Sequence, residues 1–352
     1  MLSASQKKLL QSVLSLPTAS FHEHAVMQFV RSFASFYKLP IQRDRSGNLK
    51  ITYRSGSVRT PTTFVAHMDH PGFEVVQGGN KKVRVRLLGG VNPKQFLGSK
   101  ILICSEEGLI PGRVTRKIKK DFEVAVRISV ARGDFGYFDF PGCLFRSGKI
   151  CSKGLDNVNS VSALLELLRT LKQKKMKAHV VCLFTRAEEV GFIGAMSAIE
   201  NNFVPRNGPI IVMETSSAKG GRVQVGGGPV LRVGDKMSVF TPGMDLWLHK
   251  TAQDLQKKKK DFLFQRALMA GGSTEASIFL LKGFVVGSLA FPLENYHNQG
   301  KTRPAMEIIS QKDYADMQRL LVEICTQTMP KKLVEKTLAR AETRFRKLRK
   351  YL

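Results

Sequence analysis

The chain has 352 residues, 43% of them hydrophobic, and sets 56 Lys plus Arg against 28 Asp plus Glu, a formal charge of +28. A chain this long and this apolar buries one large core or two modest ones, which excludes a disordered protein and a disulfide-stapled miniprotein. The charge alone points to nucleic acid, an acidic membrane surface or another polyanion, but charge speaks of partners and solubility, not of chemistry.

The opening segment MLSASQKKLLQSVLSLPTAS interrupts its apolar residues with Gln6, Lys7 and Lys8, so it predicts an amphipathic first helix and no signal core. Val26, Phe29, Val30, Phe33 and Phe36 recur at helical spacing and predict a second helix between Ser20 and Leu39. A Gly-Asn turn and a strand follow in RDRSGNLKITYRS, and TTFVAHMDHPGFEV holds a buried strand that stops in polar residues. From about residue 73 to 148, short β-rich runs alternate with Gly and Pro turns, which predicts a small inserted β domain or barrel.

Helix and strand then alternate: VNSVSALLELLRTLKQ reads as a helix, AHVVCLFT as a buried strand, VGFIGAMSAIENN as a helix and GPIIVMETS as a buried strand. The three glycines at 226 to 228 lack the lysine and spacing of a phosphate-binding loop and read as a turn. Phe262 to Leu281 reads as helical on both sides of Gly271-Gly272, and GFVVGSLAF is another buried strand. Ser310 with Asp313 resembles a capping box opening the helix QKDYADMQRLLVEICTQT, which Pro330 stops. Val334, Leu338, Ala341, Phe345, Leu348 and Leu352, with Lys and Arg between them, predict a basic amphipathic helix over 331–352.

This alternation predicts an α/β fold whose mostly parallel central sheet is flanked by helices, built from 1–72 and 149–330, with 73–148 inserted. Nowhere do about eighteen apolar residues run together, so no membrane span is expected. Cys104, Cys143, Cys151, Cys182 and Cys325 are scattered and never form a two-residue-spaced pair, which fits a reducing compartment, the cytoplasm.

Polar residues stand where the predicted buried strands end: His67 and Asp69 after TTFVA, Glu188 and Glu189 after HVVCLFT, Glu214 after PIIVM and His297 after VVGSLAF. Asp156 precedes a helix. In an open parallel sheet ligands sit at the carboxyl ends of the strands, so these side chains can share one crevice. Each has a plainer reading: a satisfied structural histidine, a helix cap at Asp156, a solvated glutamate pair. Together, two histidines and several carboxylates make a nitrogen and oxygen ligand set suited to a divalent first-row metal.

The order AHMDHPGFEV, KGLDNVNSVSALLELL, FTRAEEVGFIGA, IIVMETS and ENYHN resembles the co-catalytic metallopeptidases of the tetrahedral and glutamyl aminopeptidase family, from about residue 5 to 325. The resemblance implies a zinc-exopeptidase-like fold holding two divalent metal ions per chain, zinc first, with cobalt or manganese as alternatives. Asp156 would bridge them, one held also by His67 and Glu214, the other by Glu189 and His297. Asp69 would orient His67, and Glu188 would be the general base that activates metal-bound water. Gly271, Gly272 and Glu275 fall where relatives place a loop near the active site, a turn between helices being the competing reading.

Two positions depart from the family pattern. Glu214 stands where these aminopeptidases usually have Asp, whereas Glu occurs there in carboxypeptidase-like or deacylase relatives. Asn157-Val158 follow Asp156 where an acidic or Asn residue and then Arg are common. The resemblance thus implies an aminopeptidase that removes N-terminal residues from a peptide substrate, with a carboxypeptidase or N-acyl amino-acid deacylase as the enzymatic alternative. It also implies a homo-oligomer, from dimer up to dodecamer, assembled through the inserted β domain.

Outside catalysis, the alternative is a polyanion-binding scaffold, and the basic C-terminal helix offers a face for an acidic partner. From Lys331 to Leu352, nine Lys or Arg and two Glu give +7 and leave +21 for the rest, so the tail is not the sole source of charge. One Trp and six Tyr supply few stacking platforms for nucleic acid, and the charge reads as solvated faces laid over a hydrolase.

Overall fold

The computed structural model describes residues 2–327, 329 and 333–349. Helices α1 (Ala4–Leu14) and α2 (His24–Phe36) precede strands β1 (Ile41–Arg43), β2 (Leu49–Ser55) and β3 (Thr62–His67). Six strands follow: β4 (Gly72–Gln77), β5 (Lys82–Leu88), β6 (Lys100–Ser105), β7 (Gly108–Ile118), β8 (Asp121–Ala125) and β9 (Phe135–Phe138), with a short helix α3 (Pro93–Phe96) after β5. They close into a barrel in the order β4-β5-β8-β7-β6-β9. Phe73, Phe96, Phe122 and Phe138 fill its interior.

Strands β10 (Leu144–Arg146) and β11 (Lys149–Ser152) lead to helix α4 (Val158–Gln173), strand β12 (Ala178–Thr185), helix α5 (Ile193–Glu200) and strands β13 (Ile210–Ser217) and β14 (Val230–Gly234). Helix α6 (Pro242–Lys258), strand β15 (Gln265–Leu268), helix α7 (Glu275–Leu281) and strands β16 (Val286–Leu293) and β17 (Glu307–Ser310) come next, then helices α8 (Gln311–Cys325) and α9 (Leu333–Leu348). The large sheet has the order β1-β2-β12-β3-β13-β16-β14-β15, and β10, β11 and β17 form a separate small sheet. Its central run β12-β3-β13-β16 is parallel, as expected of strands buried on both faces. Antiparallel pairs flank it on both sides.

Side chains of these strands alternate between two cores. Phe64, Cys182, Phe184, Ile211 and Met213 pack with α1, α4, α6 and α8, whereas Val65, Leu183 and Val212 pack with α5 and α7. Each strand therefore reads as a continuous apolar run, and fully burying one such side chain is worth about 1.5–3 kcal/mol. Among the described residues no helix is long and apolar enough to cross a membrane.

Three expectations change. Gln265–Leu268, expected to be helical, is an edge strand paired parallel to β14, and only α7, after the glycine pair, is helical. The Ser310 hydroxyl does cap α8 by accepting from Lys312 N, but Asp313 does not complete a capping box. Its carboxylate instead accepts from Gly226 N and Gly228 N at 2.7 Å each, fixing the glycine turn, where both residues have left-handed φ. Helix α2 is shorter than expected because Ser20 and Glu23 are engaged with residues near the ends of β3 and β12. Pro330, residues 331 and 332 and residues 350–352, including Leu352 of the expected apolar stripe, lie outside the described residues.

Candidate active site

Strand register brings the first candidates together. Thr185 of β12 pairs with His67 of β3, and Val212 of β13 pairs with Val65, so Glu214 stands level with His67 on the same face. Glu188 and Glu189 follow β12, Asp156 arrives on the loop before α4, and His297 sits in the 3-10 turn Tyr296–Asn298 after β16. His67, Asp156, Glu188, Glu189 and Glu214 line one cavity of about 150 Å³, with Thr215, Arg232 and Tyr296 beside them. His67 Nε2 lies 3.7 Å from Asp156 Oδ1 and 3.8 Å from Glu188 Oε2. His297 Nε2 lies 3.5 Å from Asp156 Oδ2 and 3.2 Å from Glu189 Oε1.

Asp69 is buried behind these groups. Its Oδ1 is 3.4 Å from His67 Nδ1, which leaves Nε2 turned to the cavity. The same carboxylate accepts from Ser20 Oγ, Glu188 N and Glu189 N at 2.7, 3.0 and 3.1 Å. It thus fixes the backbone of the glutamate pair as well as the imidazole. Asp156 is not the helix cap: Asn157 occupies that position, and its amide donates to the Met213 carbonyl.

Sequence reasoning missed Glu307 and His70, two buried groups that hold this frame, and had placed Glu275 on a loop near the site. Glu307 accepts from Leu155 N, Asp156 N and His297 N at 2.5, 3.0 and 2.7 Å, tying two loops to one carboxylate. The only sequence signal is an acid inside the apolar run AMEIIS. His70 contacts the Asp156 carbonyl through Nδ1 and Asn298 Oδ1 through Nε2. Glu275, at the start of α7, accepts from Thr185 Oγ1 at 3.0 Å just below His67.

Burial dominates the electrostatics. Desolvation pushes Glu188 well up, Glu214 to about 8, and Glu275 and Glu307 to about 7. Burial also works against Asp156, but His297, His67 and His70 outweigh it and hold that carboxyl at about 2. Burial depresses His67 and His297, yet Glu188 and Asp69 around the first, and Glu189 and Asp156 around the second, raise both well above the ordinary range.

The residues present fit divalent metal. Asp156 Oδ1 and Glu214 Oε1 are buried without a hydrogen-bond partner, which folded proteins rarely tolerate. One donor atom each from His67, Glu188 and Glu214 lies within 4.8 Å of the others, and His67, Asp156 and Glu189 form a second such set. The structure therefore brings together all seven residues picked from the sequence, with Glu188, expected as base, also standing among the donors around His67.

Residues 117–320 match the sequence model described as M42 glutamyl aminopeptidase. The glutamyl aminopeptidase of Lactococcus lactis subsp. cremoris is 26% identical over 325 residues, covering 83% of this chain and 88% of that protein. The TET aminopeptidase of Thaumarchaeota archaeon SCGC AB-539-E09 superposes with a TM-score of 0.80 at 19% identity, over 92% of this chain and 97% of that one. The TET1 peptidase of Pyrococcus horikoshii, which assembles into a tetrahedron or a large octahedral shell, gives 0.77 at 21% identity, over 92% and 99%. At such identities the two structural likenesses speak of fold.

Proposed function

The chain belongs to the M42 glutamyl aminopeptidase family and is a metal-dependent aminopeptidase; from that premise we propose that it cleaves N-terminal residues from peptides at the cavity between His67 and His297. The observation that carries the site assignment is the convergence of six donor side chains, from five separate segments, on one small buried space. His67, Asp156 and Glu214 would hold one divalent ion and Asp156, Glu189 and His297 a second, zinc being the first choice. When bound, such ions lower the pKa of water and polarise the scissile carbonyl.

The chain's own residues do the rest. Glu188, its backbone fixed by Asp69, takes the proton of the attacking water and delivers it to the departing amine. Asp69 holds His67 in one orientation, and Glu307 holds the Asp156 and His297 loops at a fixed separation. Asp69 and Glu307 are wholly buried behind the cavity and Glu214 almost so, so the frame that positions the donors is itself shielded from water.

The barrel, whose strands run from Gly72 to Phe138, is proposed as an assembly module for a homo-oligomer. Supporting this, Leu97, Leu109 and Ile128 are 46%, 56% and 46% exposed on it. Light scattering should give a mass that is a multiple of 39.2 kDa; a monomer at working concentration would reject the assembly. The free cysteines fit a cytoplasmic setting, and the exposed Arg344, Arg346, Lys347 and Arg349 of the last helical segment fit an acidic partner.

The test of the main reading is a panel of free-amine, N-acylated and free-carboxyl peptides, run on protein loaded with Zn²⁺ or Co²⁺. Cleavage of the free-amine set from its N-terminus is expected. Hydrolysis confined to N-acyl substrates would replace the aminopeptidase with a deacylase.

A further inference from the structure

The inserted barrel reaches the donor residues through one short loop. From the end of β5 through α3 the sequence GGVNPKQF sets Gly89 and Gly90 first, then Val91 and Phe96, which are buried in the barrel core and anchor the loop from within. Asn92 accepts from Lys94 N at 3.0 Å and so starts α3, the turn that carries Gln95.

Each glycine lies against a different donor. A Cβ on Gly90 would stand 2.3 Å from His297 Nδ1, closer than real Cβ atoms approach anything, and one on Gly89 would stand 3.0 Å from the Cβ of Glu189. Gly89 also holds a left-handed φ of 75°. The Gly90 carbonyl lies 3.3 Å from His297 Nδ1 and 3.4 Å from Gln299 Nε2, and Gln95 Nε2 donates to the Gly300 carbonyl at 2.9 Å. A carbonyl oxygen can only accept, so Nδ1 donates, and Nε2 is the nitrogen turned to Glu189 and Asp156.

We infer that this loop is the outer wall of the second ion site: Gly89 and Gly90 are positioning residues that set Glu189 and His297, with Gln95 as a further tie on the His297 turn. This rests on the two-ion reading above and goes beyond it, since it makes one of the two sites a joint product of the sheet and the inserted barrel. The two histidines are oriented by different means. His67 takes its orientation from Asp69, two residues on, whereas His297 takes it from a backbone oxygen 207 residues away in the chain. His67 and Glu214 belong to β3 and β13, which pair directly in the large sheet, so a disturbance of the barrel loop reaches Glu189 and His297 and leaves the first pair in place.

The experiment uses the full chain, both metal-free and titrated with Zn²⁺ or Co²⁺. Gly90→Ala pushes the imidazole aside, and loss of the group that orients a metal ligand costs about 10- to 100-fold in affinity. One site should therefore keep its wild-type affinity while the other weakens by that factor, and kcat should fall about 100-fold, the cost of a displacement of about 1 Å. Gln95→Ala removes a tie without adding bulk and should weaken the same site by a smaller factor. Gly98→Ala is the control: it lies in the same barrel at a φ of 79° with nothing within 4 Å of its Cβ, so it should lower the urea midpoint and keep both affinities. In the metal-free chain, amide hydrogen exchange over 294–300 should quicken in Gly90→Ala and Gln95→Ala but not in Gly98→Ala.

A Gly90→Ala chain with both wild-type affinities and wild-type exchange over 294–300 overturns the inference and leaves the two-ion reading standing. Equal weakening of one site by Gly98→Ala overturns it too, because backbone strain alone then accounts for the effect. A wild type that binds no divalent ion, yet whose exchange over 294–300 depends on Gly90, supports the loop as the wall that holds His297 and rejects the two-ion reading instead.

Discussion

The carboxyl end of the large sheet and the outer surface of the molecule carry opposite charge and treat it differently. At the sheet end Asp69, Asp156, Glu188, Glu214, Glu275 and Glu307 are all buried within one connected neighbourhood. Outside, Arg54, Arg59, Lys172, Lys174, Lys175 and Lys177 are exposed, and the antiparallel pairing of β2 with β12 gathers them at one edge. A chain of net charge +28 thus builds its chemistry from its scarcer sign. Exterior charge keeps its water and is nearly free to vary; interior charge has lost its water and must be met by a proton, a hydrogen bond or a cation.

Asp156→Asn should break the comparison most completely, because it removes the carboxylate that faces both His67 and His297. Metal content should fall and peptidase activity should drop by about 10⁴-fold. Elemental analysis beside a rate assay checks both, and a variant that keeps its metal sinks the bridging assignment. Glu188→Gln should keep metal while kcat falls about 10²- to 10⁴-fold. A kcat near wild type in that variant would remove Glu188 from the role of base.

Glu307→Ala leaves three backbone N–H groups without their acceptor and should destabilise the fold by about 3 kcal/mol, read as a lower urea midpoint. Lys153 sharpens the contrast from the basic side. Its ammonium is buried against Tyr137 and the Leu16 carbonyl, and burial lowers it to about 8. Below pH 8 both folded and unfolded chains carry this proton and the folded state bears the full penalty. Between pH 8 and the ordinary lysine range the unfolded chain binds more protons, so stability rises with pH, by about 1.4 kcal/mol per unit separating the two values. Lys153→Met should abolish that component of a stability-pH profile; an identical profile refutes it. Lys250→Ala, which breaks an exposed pair with Asp254, should change stability by less than about 0.5 kcal/mol in the same assay.

What the sequence made legible follows the same division. AHVVCLFT and GPIIVMETS announce buried strands because both of their faces meet carbon, and the polar residues that end them then stand out. His67, Glu188, Glu189, Glu214 and His297 were visible for that reason. Glu307 was not, since its worth lies in N–H groups more than 150 residues away in one case and in a neighbouring turn in another. Asp313 misled in the same way: local spacing suggested a helix cap, while the long-range glycine turn took its carboxylate. Strand β15 was misread because four residues at a sheet edge carry too little periodicity to be told from helix.

The carboxylates of Asp69 and Glu307 have a consequence for synthesis. Asp69 grips backbone 119 and 120 residues downstream, and Glu307 grips backbone 151 and 152 residues upstream. A nascent chain emerging at about 5–20 residues per second therefore spends many seconds with some of these side chains made but not yet held. No fragment that stops short of Glu307 can fix Asp156 and His297 as the folded chain does, so the hydrolase stays latent on the ribosome until almost all of its catalytic fold has emerged.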